Sequence, residues 1–325
     1  MSFNAEKFVV DALDSVLAQD YAPLDILVSD DASTDRSFEL LQARANSYRG
    51  PHRVQLLRRS QNTGSKAAHL NALESELNGD LLVFFDADDL SEPDRVTRIV
   101  ARFADPHVYA VYSSYGLIDA EGQPVAGGGA IAPPRRGITT REWFASVGAY
   151  ASGTTLAIRR SLLDTFGPLD PEVNEDVSLP FRASLLGEVE FIDRKLVKAR
   201  RHSSATQGLE HWGSLEALRR RHKQGVDQAE VKCASRMSDL ASAERLFPNR
   251  LQEFEHLRRV VRQSVRDAQN SVGLFERSLW RRLRALVALR CSKLHREQLL
   301  RDVAIALSPR MYVRYRRRRL RRVWS

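Results

Sequence analysis

The stretch that decides the fold is residues 79–89, GDLLVFFDADD, in which an apolar run ends in acids. The run from residue 81 to residue 85 is apolar on both faces, which is typical of a strand buried between helices. Because alternate side chains of an extended chain point the same way, Asp86 and Asp88 can present two carboxylates to one ligand. This stretch therefore predicts a buried strand that ends at an acidic ligand site.

A second acidic strand end lies upstream. Residues 24–28 form a short apolar run that stops at Asp30 and Asp31, and a helical pattern follows. Further strand-like runs at residues 54–57 and 154–158 alternate with amphipathic helical patterns. This alternation predicts an α/β fold with a mostly parallel sheet flanked by helices.

The two acidic strand ends predict a cation site. In a parallel sheet, ligands bind outside the carboxyl ends of the strands, where both groups of acids stand. Carboxylate oxygens are ligands for Mn²⁺ or Mg²⁺, ions that offset the negative charge of a diphosphate. Taken alone, a strand-terminal Asp-x-Asp is equally explained by loop and helix-capping roles, since aspartate is common in both.

Charge and composition exclude several classes of protein. The net charge is +9, but residues 310–325 contain eight arginines and no acid, which leaves about +1 for the rest. A nucleic-acid binder would need basic and aromatic residues interleaved across the folded part, so that class is disfavoured. Cys233 and Cys291 lack metal-ligand spacing, and no apolar run approaches the roughly 20 residues that span a bilayer. We expect a cytoplasmic chain without a transmembrane segment.

The chain is long enough for one large domain and an appendage, since single cores stop growing near about 250 to 300 residues. Near residue 213 the composition shifts to Leu, Ala, Arg, Glu and Gln with helical spacing. We therefore divide the chain into a catalytic domain at 1–212, a helical extension at 213–309 and an arginine-rich tail at 310–325. Neither a Walker loop, a GxGxxG fingerprint nor a GxSxG elbow occurs in the sequence, which disfavours P-loop ATPases, Rossmann dehydrogenases and serine hydrolases.

Several segments, in their order and spacing, closely resemble the family 2 glycosyltransferases of the GT-A fold. The resemblance covers roughly residues 2–207. The matching segments are NAEKF at 4–8, LAQDY at 17–21, VSDDASTD at 28–35, GDLLVFFDADD at 79–89, SGTTLAIRR at 152–160, FGPLD at 166–170, and Glu175-Asp176 followed by Arg182 and Gly187.

The resemblance implies an inverting transfer of a sugar from a nucleotide diphosphate sugar. It implies that Asp176 is the general base, which agrees with the need of an acceptor hydroxyl to lose its proton. The alternative is that Asp176 only caps the helix that follows. By the same matching, Asp31 reads the base of the nucleotide, Asp86 lies near the ribose or the metal, and Asp88 is the principal ligand of Mn²⁺ or Mg²⁺.

Other donor-site residues follow from the same matching. Lys66 and Asn71 fall in the segment that lines the donor pocket, where a lysine can pair with phosphate. Lys66 is equally explained as a solvated helix charge. The segment with Arg200, Arg201 and His202 resembles the one that closes over the diphosphate in this family, where such groups stabilise the leaving group. Asp30 completes the predicted donor set.

The resemblance implies a hexosyltransferase-like enzyme of polysaccharide biosynthesis. The expected donor is a UDP- or dTDP-sugar, and the expected acceptor is a glycan or a lipid-linked glycan. A catalytically inactive scaffold that binds a nucleotide sugar within a polysaccharide assembly complex is the alternative. The intact Asp86, Asp88 and Asp176 argue against that alternative, and no nucleic-acid partner is expected.

The carboxyl end of the chain predicts peripheral contact with an anionic membrane surface on the inner face of the cell membrane. An apolar helical stripe there is flanked by arginines that can bind anionic headgroups. The alternative is a helix packed on the catalytic domain with a basic tail. The stripe comprises Leu279, Trp280, Leu283, Leu286 and Val287, and the nearby arginines are Arg277, Arg281, Arg284 and those of the tail.

The first residues of the chain lead to a prediction about a missing strand. In the family, a central apolar strand precedes the Asn-Ala-Glu segment, and only Met1-Ser2-Phe3 precedes it here. We expect the natural start to lie about ten residues upstream with a Val/Ile-rich run, because unpaired backbone inside a sheet is costly. In a structure of these residues we expect no full strand before the helix near residue 6, and a gap where that strand belongs.

Overall fold

The computed structural model describes residues 1–125, 129, 132–133, 137–146, 150–202 and 215–272, together with isolated positions further on. The chain forms two compact units. The α/β unit comprises residues 1–132 and 150–201, and the helical unit comprises residues 133–149 and 202–325. The arginine-rich tail at 310–325 and most of the predicted membrane-binding stripe lie outside the described residues.

The α/β unit alternates strands and helices along most of its length. Its strands are β1 Asp25–Asp30, β2 Arg53–Arg58, β3 Leu81–Val83, β4 Leu90–Ser91, β5 Val108–Ile118, β6 Pro124–Val125, β7 Ala157–Arg159 and β8 Glu188–Arg200. Its helices are α1 Val9–Leu17, α2 Ser37–Ser47, α3 Lys66–Asn71, α4 Arg95–Arg102, α6 Ser161–Phe166 and α7 Glu175–Leu186, and the helical unit contains α5 Thr140–Ala145, α8 Leu215–Leu246 and α9 Leu251–Val272.

The strands form two sheets, the larger of which is mixed, whereas the sequence predicted a mostly parallel sheet. β1 and β2 are parallel, and a second sheet has the order β3-β7-β5-β8-β4 with β6 added to β5. In that second sheet only β5 and β8 are parallel. Apolar periodicity indicates that a strand is buried but does not indicate its direction. The prediction of helices flanking a sheet is therefore correct, whereas the prediction that most strands are parallel is wrong.

A gap separates the two sheets in the described part of the chain. Ser2 makes a single parallel bridge to Asp30, and the amino group of Met1 donates to the Phe85 carbonyl oxygen at 3.0 Å. Between β1 and β3 lies a cavity of about 540 Å³, lined largely by apolar residues of these strands and of α1 and α4. The structure thus has no full strand before α1, and a gap lies between β1 and β3, as expected.

The helices pack on the sheets through the apolar stripes that the sequence predicts. Val9, Leu13 and Leu17 of α1 are spaced at helical intervals and pack with Leu41 of α2. On the second sheet, Ile99 of α4 belongs to a cluster with residues of β5, β7 and β8. These contacts fix the carboxyl ends of β1 and β3, where the predicted site residues stand.

The helical unit is held by α8 and α9, which are joined by a turn at Pro248–Arg250. Leu240 of α8 and Phe254, Leu257 and Val261 of α9 are almost fully buried. The unit also takes in α5, which comes from the middle of the sequence. No described helix is both long enough and apolar enough to cross a membrane.

Candidate functional site

Three aspartates converge where β3 ends. Asp86, Asp88 and Asp89 each place a carboxylate oxygen within 4.8 Å of the others. The pairing of β3 continues one residue beyond Val83, because the Phe84 amide donates to the Leu156 carbonyl at 2.9 Å. The chain then turns, so the three carboxylates converge and do not point to opposite faces of an extended strand. An all-oxygen set of this kind fits a hard divalent cation.

Crowding changes the protonation of these acids. Burial, together with the charges of Asp86 and Asp88, raises the pKa of Asp89 to about 7, even though the Arg200 amide donates to Asp89 at 2.8 Å. Burial also disfavours the charged form of Asp86, but Lys66 outweighs burial and holds the pKa of Asp86 below its usual value. A metal cation bound at the cluster, in addition to the Lys66 ammonium group, would stabilise the charged form of all three acids.

Lys66 pairs with the acid cluster and lies near the acids at the start of α7. Ser65 caps α3 by accepting the Ala68 amide, and this places Lys66 in the first turn. Its Nζ lies 2.6 Å from Asp86 Oδ2. Burial would lower the pKa of Lys66, but Asp86, and beyond it Glu175 and Asp176, raise it. The resemblance implies that Lys66 pairs with phosphate, and in the structure its ammonium group pairs with Asp86.

Glu175 and Asp176 occupy the first turn of α7, and Asn174 is the N-cap residue. Asp176 is half-buried, and its carbonyl oxygen accepts the Ala151 amide at 2.9 Å. Glu175 is 2% exposed, and burial raises its pKa to about 7. Gly153 packs against it so closely that a Cβ there would stand 2.5 Å from Glu175 Oε1. Because Asn174 is the N-cap residue, Asp176 does not occupy the N-cap position. Its carboxylate lies in the first turn of α7, where negative charge stabilises the helix.

Asp30 and Asp31 at the end of β1 accept hydrogen bonds from the loops that follow β1 and β2. Asp30 is fully buried and accepts the Ser33 amide at 2.9 Å and the Ser33 hydroxyl at 2.5 Å. Asp31 accepts the Thr63 amide at 3.1 Å and the Thr63 hydroxyl at 2.9 Å. The structure thus uses both acids to hold the loops after β1 and β2. Their contact with a nucleotide stays a prediction.

Asn71 and Arg200 also make contacts inside the protein. The Asn71 side chain donates to the Leu169 carbonyl at 2.8 Å and accepts the Leu169 amide at 2.8 Å. Arg200 is buried, and its guanidinium donates to the carbonyls of Asp88 at 2.9 Å and Ala120 at 2.9 Å. Each side chain therefore positions a loop: Asn71 the loop after α6, and Arg200 the loop that carries Asp88.

Arg201 and His202 follow the end of β8. The Arg201 amide donates to the Ile118 carbonyl at 2.8 Å, which continues the pairing of β8 with β5. Both side chains are half-buried, and His202 is the first residue of the later part of the helical unit. The geometry of Arg200 brings it to the acid cluster, whereas the roles of Arg201 and His202 toward a diphosphate stay predictions.

Arg95 is a site residue that the sequence did not indicate. It is 1% exposed, its Nη2 donates to the Phe84 carbonyl at 2.7 Å, and its guanidinium lies 5.4 Å from the centre of the Phe85 ring. Burial lowers its pKa to about 10, opposed by Asp89 and Asp86. An arginine in an amphipathic helix is normally interpreted as solvent-exposed, so no local pattern reveals that it supports the end of β3.

The comparisons with known proteins agree with the α/β fold described above. The model of glycosyl transferase family 2 matches residues 1–167. The chain therefore belongs to glycosyl transferase family 2, which confirms the resemblance stated from the sequence. The structure of a mannosyltransferase of Pyrobaculum calidifontis, in complex with GDP-Man and Mn²⁺, is similar with a TM-score of 0.53 at 19% identity, over 97% of this chain and 84% of that one.

Curated relatives show the same family at lower coverage. An uncharacterized glycosyltransferase of Nostoc is 25% identical over 208 residues, which are 62% of this chain and 63% of that protein. Chondroitin synthase of Escherichia coli is 30% identical over 128 residues, which are 39% of this chain and 18% of that protein. The chain thus spans less than two thirds of the length of these relatives.

Proposed function

We propose that this chain is an inverting glycosyltransferase that moves a sugar from a nucleotide diphosphate sugar to an acceptor hydroxyl. The observation that carries the proposal is the ion pair of Lys66 with Asp86 of the acid cluster, close to the charges of Glu175 and Asp176. Lys66 contacts Asp86 at 2.6 Å, and its pKa is raised by Asp86, Glu175 and Asp176. The acids proposed for metal binding and for proton transfer therefore both act on the charge of Lys66.

Asp86 and Asp88 are the proposed ligands of Mn²⁺ or Mg²⁺. The cluster fits such an ion, because three carboxylate oxygens lie within 4.8 Å of one another. Burial, and then the charges of Asp86 and Asp88, raise the pKa of Asp89 to about 7. A bound ion would supply charge stabilisation to the departing nucleoside diphosphate. Arg200 and Arg95 hold the backbone on either side of the cluster, so the acids are set in place by the fold.

Asp176 is the proposed general base. The acceptor oxygen forms the new bond to the sugar carbon, and the bond from that carbon to the diphosphate oxygen breaks with inversion. The acceptor proton passes to the Asp176 carboxylate, and the diphosphate leaves with the electron pair. Lys66, Arg200, Arg201 and His202 are the proposed partners of the leaving group, with Asp30, Asp31 and Asn71 shaping the nucleotide side.

The donor is proposed to be a UDP- or dTDP-sugar and the acceptor a glycan or lipid-linked glycan. Similarity to chondroitin synthase supports an acceptor of the polysaccharide class. Because specificity of transfer lies in loops, the fold does not select among sugars. The alternative of an inactive nucleotide-sugar-binding scaffold is distinguished by turnover.

A panel of UDP- and dTDP-sugars, each with Mn²⁺ or Mg²⁺, tests the function through release of nucleoside diphosphate. We expect one donor to be turned over, with inverted anomeric configuration in the product. Asp176→Asn should reduce turnover by at least about 10²-fold while donor affinity stays the same, because a general base acts in the transition state. Binding of a donor without turnover by the parent would favour the scaffold, and full turnover by Asp176→Asn would show that another group is the base.

We also propose that the carboxyl end contacts an anionic membrane surface on the cytoplasmic side. Two exposed apolar residues, Trp280 and Val287, and the neighbouring Arg281 and Arg284 are among the described positions. Flotation with liposomes that contain anionic lipid should carry the full chain upward but not a chain that ends at residue 272. Equal flotation of both chains contradicts this assignment.

A further inference from the structure

A buried histidine of the α/β unit has no part in the proposed transfer. His69 lies in α3 and is 3% exposed, and its Nε2 lies 2.7 Å from the Oγ of Ser29 in β1, which is 1% exposed. Burial lowers the pKa of His69 below its usual value, although Asp31 opposes it, so the imidazole is neutral at pH 7. A hydrogen bond between two buried, neutral side chains therefore joins α3 to β1.

The position of Ser29 is set by the backbone around it. Ser29 stands in register with Leu57 of β2, and its carbonyl oxygen accepts the Ser2 amide at 2.8 Å. The chain thus has a backbone neighbour on each side at Ser29. This limits the movement of the hydroxyl group that His69 contacts.

The helix α3 depends on such contacts for its position. It has six residues, and a helix this short is not stable alone. Ser65 caps its start by accepting the Ala68 amide at 3.1 Å, and the Asn71 side chain at its end makes two hydrogen bonds with the Leu169 backbone. Between these ends, His69 adds a polar contact that reaches β1.

The same helix carries Lys66 one turn before His69. Residues three apart are neighbours on the surface of a helix, so a displacement of His69 also displaces Lys66. Lys66 Nζ lies 2.6 Å from Asp86 Oδ2, and Asp86 follows β3, which belongs to a different sheet from β1. The helix α3 therefore connects Ser29 of β1 with Asp86 beyond β3, across the gap between the two sheets.

We propose that His69 is a positioning residue for Lys66. Through its contact with Ser29 it holds α3 against β1, and this holds the Lys66 ammonium group beside Asp86. The consequence for the donor rests on the proposed function, in which Lys66 is a partner of the leaving diphosphate. The structural step does not depend on that function, and His69 needs no contact with the donor.

Hydrogen exchange of the ligand-free chain tests the structural step. The amides at positions 69 and 72 donate to the carbonyls of Ser65 and Ala68 within α3. His69→Leu should increase exchange of these two amides by at least about 10-fold relative to the amides of β5, because leucine cannot bond the Ser29 hydroxyl and α3 opens more often.

The matched control is His52→Leu. His52 is also a buried histidine of the α/β unit, and its Nδ1 accepts the Leu24 amide at 3.2 Å, at the opposite end of β1 from Ser29. This variant loses a hydrogen bond of a buried imidazole too, but it should leave the exchange ratio of α3 to β5 as in the parent. If His69→Leu does not fold, Ser29→Ala removes the other partner of the contact and carries the same expectations.

Donor titration tests the consequence at Lys66, with the nucleotide sugar that the donor panel identifies and with Mn²⁺ present. His69→Leu should weaken donor binding by about 5-fold, because the Lys66 charge is no longer held in place for the diphosphate. His69→Gln keeps a hydrogen-bonding group and should bind donor within about twofold of the parent. In a Lys66→Met chain, His69→Leu should weaken binding by less than about twofold, since effects that pass through one side chain are not additive.

Unchanged exchange in α3 of a folded His69→Leu or Ser29→Ala chain overturns the inference. So does unchanged donor binding by His69→Leu, or an equal loss of donor affinity with and without Lys66, because His69 would then act independently of that lysine. A parent chain that turns over no donor contradicts the proposed function, whereas the exchange result still decides the structural step.

Discussion

Two acidic strand ends of the same sheet-forming unit differ in what surrounds their carboxylates. At the end of β1, Ser33 and Thr63 donate to Asp30 and Asp31 from both backbone and hydroxyl groups. At the end of β3, three carboxylates lie within 4.8 Å of one another. The same residue type therefore holds a loop in one place and gathers negative charge in the other.

The difference shows what determines the role of an aspartate after a strand. Donors around a carboxylate stabilise its charge without a ligand, so such an acid contributes to the stability of the fold. Neighbouring carboxylates destabilise each other's charge, and the pKa of Asp89 rises to about 7 as a result of burial and these neighbours. A cation relieves that repulsion, so the second strand end is the better candidate for metal binding.

The largest expected effect is at the β3 end. Asp88→Ala should abolish metal-dependent donor binding, with a loss of at least about 10²-fold in affinity, because each carboxylate contributes directly to the charge of the cation site. Titration of a nucleotide sugar with and without Mn²⁺ measures it. Asp94→Ala is the control, since Asp94 forms a surface pair with Arg98. Donor binding by Asp88→Ala equal to that of the parent would show that the metal assignment is wrong.

The β1 end should respond through stability instead. Asp30→Ala removes the acceptor of two hydrogen bonds from Ser33 in a fully buried place, and should lower the free energy of unfolding by about 2 kcal/mol. Metal affinity should change less than about threefold, since the two acidic ends are distinct in their contacts. Urea unfolding and Mn²⁺ titration measure the two effects. A stability loss below about 0.5 kcal/mol would contradict the loop-holding role.

Local pattern predicts the parts of this fold that depend on neighbouring residues. The stripe of α1, the apolar run of β3 and the loop after β1 all follow from spacings within a few residues. The α/β class follows because alternating elements of this kind have few ways to pack. The direction of β7 depends on partners more than forty residues away, so periodicity did not reveal it.

The candidate site shows the same limit. The acids of residues 86–89 and Asp176 were found because their motifs are local, and their assigned roles stay predictions. The groups that support them come from other elements: Arg95 of α4 contacts the Phe84 carbonyl, and Arg200 of β8 contacts the Asp88 carbonyl. A buried arginine has no signature distinct from an exposed one on a helix, since only its tertiary surroundings differ.

The smallest expected effect concerns Glu175, which belongs to neither strand end but lies near the β3 cluster. Burial, and then Asp176 and Asp86, raise the pKa of Glu175 to about 7 from 4.5, although Lys66 opposes them. Between those two pH values the carboxyl of Glu175 is ionised in the unfolded chain and protonated in the folded chain. This group therefore makes stability fall as pH rises from about 4.5 to about 7.

The Glu175→Gln side chain cannot ionise, so this variant should lose less free energy of unfolding than the parent between pH 5.5 and pH 7.5. The expected difference is on the order of 1 kcal/mol. Asp89 contributes a similar slope that remains in the variant, so the difference between the two chains isolates Glu175. Urea unfolding at both pH values measures it, with the exposed Glu172→Gln as the control. If Glu175→Gln and the parent lose equal stability over this range, the carboxyl of Glu175 is already ionised below it, and burial does not keep it protonated.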